Sequence, residues 1–190
     1  AHAWDDRTSR DLLEKTGALL VDHKIRFSKC LEGIHPSVEG IKAMAGTECT
    51  SGLETLALAS GHKSRYRADT RVPERIFREL YLTWIRRSVN GELADVVLLA
   101  GTPSDPSGMV TVSCKEGSGE IGLIAVAEGF RGQGMGRRLM AAAEAYARSR
   151  GAITMDVTTQ GGNAGACTLY RSCGYQVAQE QAFYHIWMEP

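Results

Sequence analysis

The chain has 190 residues, close to one domain at roughly 150 residues per domain, so a single core with at most a small appendage is expected and two full domains are excluded. Twenty-two Lys and Arg balance twenty-two Asp and Glu, which removes any global electrostatic pull toward nucleic acid or an anionic membrane and leaves anion binding to local features. Hydrophobic residues at 43% and charged residues at 23% exclude disorder and fibrous repeats, while five cysteines with no CxxC pair exclude a disulfide framework and a zinc knuckle.

Residues 5–16 carry acids early, then Leu12 and Leu13, and Gly17 follows, which predicts a short helix with a glycine stop. A strand is expected over LLVDHKIRFSKCL, with Val21, His23, Ile25 and Phe27 facing one way and the turn-like GIHPS ending it. Residues 1–36 are read as an N-terminal extension or partial subdomain, and 37–190 as the main domain. Ser51 and Glu54 have capping-box spacing before LETLALA, predicting a short helix that ends near Gly61. The stretch HKSRYRADTR reads as loop. Pro73 suits the first turn of an amphipathic helix whose apolar residues Ile76, Phe77, Leu80, Trp84 and Ile85 recur at helical spacing until Asn90-Gly91.

ADVVLLA, GMVTVSC and EIGLIAV, separated by turn residues, predict an antiparallel meander. Residues 134–150 are expected to be helical, with Met135, Leu139, Ala143, Tyr146 and Ala147 forming one apolar stripe and Gly151 the stop. A strand AITMDVTT, a short helix in GNAGACTLYRSCG and a closing strand AFYHIWM complete the chain. The fold class is α/β (α+β), a mixed, mostly antiparallel sheet flanked by helices with βαβ crossover geometry near its end. No apolar run approaches the ~18 residues of a membrane span and AHAWDDRTSRDLLEK is too charged for a secretory signal, so a cytoplasmic protein is expected.

The most informative stretch runs from Val126 to Arg138, VAEGFRGQGMGRR, a strand end, a glycine-rich turn and a helix start. Such a turn offers backbone N–H groups and the positive end of a helix dipole to a phosphate or pyrophosphate, although a plain glycine-capped turn has the same composition. A Walker loop is excluded because Gly136 is followed by Arg137 and Arg138, and the dinucleotide fingerprint is excluded because Gly132, Gly134 and Gly136 run as GxGxG.

With Arg131, Gly134 and Gly136 after LIAV, and with Asn163 separated by six residues from Tyr170 and Gly174-Tyr175 beyond it, the chain resembles the GNAT superfamily of acyl-CoA-dependent N-acetyltransferases over about residues 38–190. SRYRADTRVPERIFRELYLTWIRRSVNG and the N-terminal stretch look most like the bacterial TDP-fucosamine acetyltransferases. The resemblance implies the acyl-CoA N-acyltransferase fold, acetyl-CoA as co-substrate and no metal. It assigns the pantetheine and thioester to the backbone of Ile124, Ala125 and Val126, and the pyrophosphate to Arg131, Gly132, Gln133, Gly134, Met135, Gly136 and Arg137. Asn163 is implied as a pantetheine contact and Tyr170 as the acid that protonates the leaving thiolate. Asn163 is equally a good helix N-cap and Tyr170 equally a core aromatic.

Glu120 stands where some GNAT enzymes place a general base, and an exposed glutamate after a turn is the plainer reading. His185 is kept as a candidate base with a structural role expected. Between Lys63 and Glu79, six basic side chains meet three acidic ones, which suggests an anionic acceptor held by Arg65, Arg67 or Arg71, the bland alternative being a solvated helix face. The expected reaction is N-acetylation of an amino sugar attached to a nucleotide, with no nucleic-acid or membrane partner. Another small amine, a protein N-terminus or a non-catalytic acyl-CoA-binding module are the alternatives, and the oligomeric state is open, a homodimer being one option.

Overall fold

The computed structural model describes Leu13, residues 15–33 and residues 38–187. Most of the helix expected over 5–16, and part of the GIHPS turn, lie outside the described residues. Leu13, Lys15 and Thr16 are helical, and Gly17 takes a φ of +61°, the left-handed conformation of a glycine stop.

The described elements are β1 (Leu19–Cys30), β2 (Ile41–Ala43), α1 (Ser51–Ser60), α2 (Arg65–Ala68), α3 (Glu74–Val89), β3 (Val96–Gly101), β4 (Pro106–Lys115), β5 (Ser118–Val126), α4 (Met135–Ser149), β6 (Thr154–Gln160), α5 (Ala164–Ser172) and β7 (Gln176–His185). A 3-10 turn, Glu128–Phe130, leads into α4. The strands form one sheet in the order β2-β3-β4-β5-β6-β1-β7. The expected meander of β3, β4 and β5 is antiparallel, and β5 runs parallel to β6 with α4 as the crossover. None of the described helices is long and apolar enough to cross a membrane.

Alternation along the strands sends side chains to two layers. On one face, Leu53, Leu56, Phe77, Tyr81 and Ile85 of α1 and α3 pack on Val97, Leu99, Met109 and Leu123. On the other, Leu139, Met140, Ala143 and Ala147 of α4, with Cys167 and Tyr170 of α5, pack on Phe27, Val110, Val112 and Val157. The buried α3 stripe is Phe77, Tyr81, Ile85 and Ser88, stepping by four, four and three residues, and Ile76 of the expected stripe turns outward.

β1 lies inside the sheet, antiparallel to β6 on one side and β7 on the other, although its residues belong to the stretch read as an extension. Ile25, Phe27 and the following Leu31 are buried. Each such side chain contributes about 1.5–3 kcal/mol on burial, so this strand is part of the core. Three further differences from the sequence reading have local causes. Residues 65–68 are a short helix rather than loop, because the Ser64 side chain caps it by accepting from Tyr66 N. The cap of α1 is Thr50, which accepts from Leu53 N, one residue before Ser51. β7 begins at Gln176, six residues early, since its polar first half lies exposed at the sheet edge and carries no hydrophobic period.

The end of β7 is fastened to the loop after α2. Buried Asp69 receives His185 Nδ1 and Trp187 Nε1, each at 2.8 Å, and the Arg71 backbone N–H at 3.0 Å. Burial works against the Asp69 charge, but these donors outweigh it and hold the carboxyl well below the usual carboxylate range. His185 therefore fills the structural role expected of it.

Candidate active site

The site begins with a defect in the sheet. Val110 of β4 faces Ile124 of β5 while Val112 faces Ile121, so β5 accommodates one extra residue there. The bulge reverses the side-chain phase. Ile121 packs in the α4 and α5 layer, whereas Leu123 and Ala125 pack in the α1 and α3 layer. Gly122 makes this possible, since a Cβ there would stand 2.9 Å from Thr111 Oγ1. That hydroxyl accepts from Leu123 N at 2.8 Å, which replaces a ladder bond lost to the bulge.

β5 and β6 pair only from Ser118 opposite Thr154 to Ile121 opposite Val157. Beyond that point β5 continues to Val126 and β6 to Gln160 without facing each other across the ladder. A strand without a neighbour turns half its peptide groups toward the gap, so β5 offers main-chain donors and acceptors there. The gap opens into a cavity of about 640 Å³. A small-molecule site of this size is ordinary.

The structure brings many of the sequence candidates together on this cavity: Glu120, Ile124, Ala125, Val126, Arg131, Gly136, Asn163, Tyr170 and Arg65 all line it. Gly132, Gln133, Gly134, Met135 and Arg137 surround its glycine-loop end without lining it. Gly132 and Gly134 have φ of +73° and +80°, and a Cβ at either would meet no atom within 4 Å, so the loop backbone stands open. Gly134 is the N-cap of α4 and no side chain caps that helix, which leaves its first N–H groups without the usual side-chain acceptor. Arg131 Nε donates to Val126 O, and Gln133 Nε2 to Gly129 O, fixing the loop to itself and to the end of β5. Arg137 Nε turns toward Ser172 Oγ on α5.

Tyr170 is buried, with its ring edge-on to Phe27 at 5.5 Å. Burial pushes its phenol far above the ordinary tyrosine value, with Cys167 and Cys173 adding to the shift, so it stays protonated. Asn163 caps α5, its Oδ1 accepting from Ala166 N at 3.3 Å. The cap reading holds, and the residue lines the cavity as well.

Of the three arginines only Arg65 lines the cavity. Its guanidinium sits 4.9 Å from the Tyr66 ring centre and 4.8 Å from that of Phe183, and Nη2 donates to Tyr66 Oη. Arg67 instead lies over Phe77 and pairs with Glu74, and Arg71 lies over Trp187 and pairs with Asp69. Their short-range partners are on α3 and in the β7 clasp, so the local basic excess does not converge on one point.

Two charged wall residues, Asp22 and Lys24, escaped the sequence reading. Alternation along β1 sends Ile25 and Phe27 to the core and Asp22 and Lys24 to the opposite face, where both line the cavity. Asp22 is buried, and burial pushes its carboxyl above the usual range against the opposing pull of Arg65, Lys24 and the His23 backbone N–H. The available signal was an acid at an alternate position of an apolar strand, LLVDHKIRF. Glu120, by contrast, is exposed and lies in the stretch where β5 and β6 still pair.

The family model described as acetyltransferase (GNAT) matches residues 53–175. Among curated proteins the chain is similar to the spore coat polysaccharide biosynthesis protein SpsD of Bacillus subtilis (strain 168), 28% identical over 138 residues, 73% of this chain and 47% of the relative. It is 30% identical over 169 residues to the dTDP-fucosamine acetyltransferase of Escherichia coli O6:H1, covering 88% of this chain and 71% of the relative. It thus spans about half the length of the first and about seven tenths of the second. Among solved structures, a GCN5-related N-acetyltransferase from Sphaerobacter thermophilus superposes with a TM-score of 0.61 at 20% identity, covering 94% of this chain and 56% of the other. An acetyltransferase of the GNAT family from Colwellia psychrerythraea gives 0.60 at 16% identity, covering 95% and 62%.

Proposed function

The chain belongs to the acetyltransferase (GNAT) family, and on that premise we propose that it moves the acetyl group of acetyl-CoA onto the amino group of a nucleotide-linked amino sugar. The observation that carries this reading is one cavity, opened by the parting of β5 and β6, on which Asp22, Arg65 and Tyr170 stand together. The sugar acceptor is supported by relatives named for spore coat polysaccharide biosynthesis and for dTDP-fucosamine acetylation.

The residues fit the donor. Main-chain groups of Ile124 to Val126 face a gap with no opposing strand, which suits the amide-rich pantetheine arm, and the open loop from Arg131 to Arg137 before the uncapped α4 suits a pyrophosphate. The donor supplies an activated acyl carbon. Asp22 removes a proton from the acceptor amine as its nitrogen attacks that carbon, and Tyr170 gives its hydroxyl proton to the sulfur as the C–S bond breaks. We assign the base to Asp22 rather than Glu120, because a buried carboxyl with a raised pKa holds a proton more readily near neutral pH than an exposed one.

Arg65 is the anion anchor. Two aromatic faces and the Tyr66 hydroxyl hold its guanidinium at the cavity wall, which reduces the entropy lost when it binds a phosphate. A charge-assisted hydrogen bond contributes about 1.5–3 kcal/mol, so Arg65→Ala should raise the acceptor KM by roughly ten- to a hundredfold and leave the acetyl-CoA KM within about twofold. Steady-state kinetics with each substrate varied in turn measures this. An unchanged acceptor KM would remove the anionic acceptor from the reading.

A further inference from the structure

Several basic side chains are neutralised within the fold. Arg67 pairs with Glu74, Arg71 with Asp69, Arg86 with Glu54 and Lys29 with Glu144. Lys24 and Arg65 both stand on the cavity wall, and among the described residues neither forms an ion pair. Asp22 feels both charges through space without pairing with either.

One ring nonetheless brings the two cations together. Phe183 of β7 faces Asp22 across the ladder with β1, which turns its ring to the side of the sheet that carries Asp22 and Lys24. Lys24 Nζ stands 5.8 Å from the centre of that ring, and the Arg65 guanidinium carbon stands 4.8 Å from it. The ring attracts each cation, but the cations repel each other, and a wall shielded from water strengthens that repulsion. An anion lying against both relieves it. Core packing does not dictate where the arginine stands, since α2, which delivers it, buries none of its residues.

We propose that Lys24 and Arg65 are the two prongs of a diphosphate clamp, so that the cavity selects an acceptor linked through a nucleoside diphosphate over one linked through a monophosphate. The clamp rests on the nucleotide-linked acceptor proposed above and specifies its linkage. The prongs are chemically suited to adjacent phosphates, because the guanidinium presents a planar fork and the ammonium a compact charge on a flexible stem. A diphosphate gives each cation its own anionic group. A monophosphate engages one and leaves the other unpaired. Asp22 lies on the same side of the sheet as Lys24, opposite Phe183, so an acceptor held by the clamp has its base beside it.

Calorimetry on the full chain saturated with CoA, titrated with dTDP or with dTMP, tests this at equilibrium and without turnover. The parent should bind dTDP at least about tenfold more tightly than dTMP. In Lys24→Gln that ratio should fall to within about threefold of one, because a single prong grips one phosphate only. Lys24→Arg keeps the charge and should restore most of the ratio, and the affinity of the nucleotide-free protein for CoA should stay within about threefold in both variants. A parent that binds the two nucleotides alike, a Lys24→Gln ratio equal to the parent's, or a Lys24→Arg ratio no better than that of Lys24→Gln would overturn the clamp. So would a loss of CoA affinity matching the loss of dTDP affinity, which would give the lysine to the donor. Any of these results alongside turnover of a dTDP-linked amino sugar would remove the clamp and leave the proposed function standing, whereas a parent that binds neither nucleotide would remove both.

Discussion

Asp22 and Glu120 are both carboxylates on the wall of one cavity, but Asp22 is buried whereas Glu120 is exposed in the stretch where β5 and β6 still pair. A general base works in its deprotonated form, so activity should rise with pH through the pKa of Asp22. Desolvation places that rise above the ~3.9 of a free aspartate, against the opposing pull of Arg65, Lys24 and His23. In Asp22→Asn the ascending limb of kcat/KM should disappear and turnover should fall about 10²–10⁴-fold, the usual contribution of a positioned base. A retained limb would return the base role to another group. Tyr170→Phe should lower turnover by a similar factor while CoA affinity, read by calorimetry, stays near the parent value, because the ring and its packing on Phe27 remain. Near-normal turnover would leave Tyr170 as a core aromatic only. Of these two, Tyr170 was legible from its spacing to Asn163 and to Gly174-Tyr175. Asp22 was not, because strand alternation places it on the cavity face only when β1 is known to lie between β6 and β7.

At the scale of elements, the glycine loop was the clearest signal in the sequence, and the structure gives its middle glycine a definite task. Gly134 is left-handed at the N-cap of α4, and no protein atom fills the space its Cβ would take. Gly134→Val forces a β-branched residue into that conformation at a cost of about 1–3 kcal/mol and projects a side chain where a phosphate would lie. Calorimetry should therefore show CoA affinity reduced at least about tenfold in a folded protein, and parental affinity would remove the loop from the donor site. The parting of β5 and β6 was not legible. It depends on a bulge against β4 and on where pairing with β6 stops, both nonlocal, although Gly122 inside the otherwise aliphatic run Ile121 to Val126 was a local hint. β2, three residues long, was missed because it is too short to show a period.

For the whole molecule, the layers and the meander followed from hydrophobic period, whereas the order of the strands did not. The β1 residues, read as an extension, separate β6 from β7 and supply part of the core and one wall of the cavity. The basic stretch from Lys63 to Arg78 likewise resolves only in three dimensions, into one arginine on the cavity and two committed to Glu74 and Asp69. On the proposed function, a chain of zero net charge meets its acceptor at a cavity wall that carries Lys24, Arg65 and Arg131 as well as Asp22 and Glu120. Such a wall favours a phosphorylated acceptor over a polycation. The most direct test is CoA release from acetyl-CoA, followed with a thiol reagent, in the presence of a dTDP-linked 4-amino-4,6-dideoxy sugar, the same sugar without nucleotide, and a polyamine. The account predicts turnover with the nucleotide-linked sugar at least about tenfold above either of the others at equal concentration, and added salt should narrow that margin. Equal or faster release with the free sugar or the polyamine would contradict it.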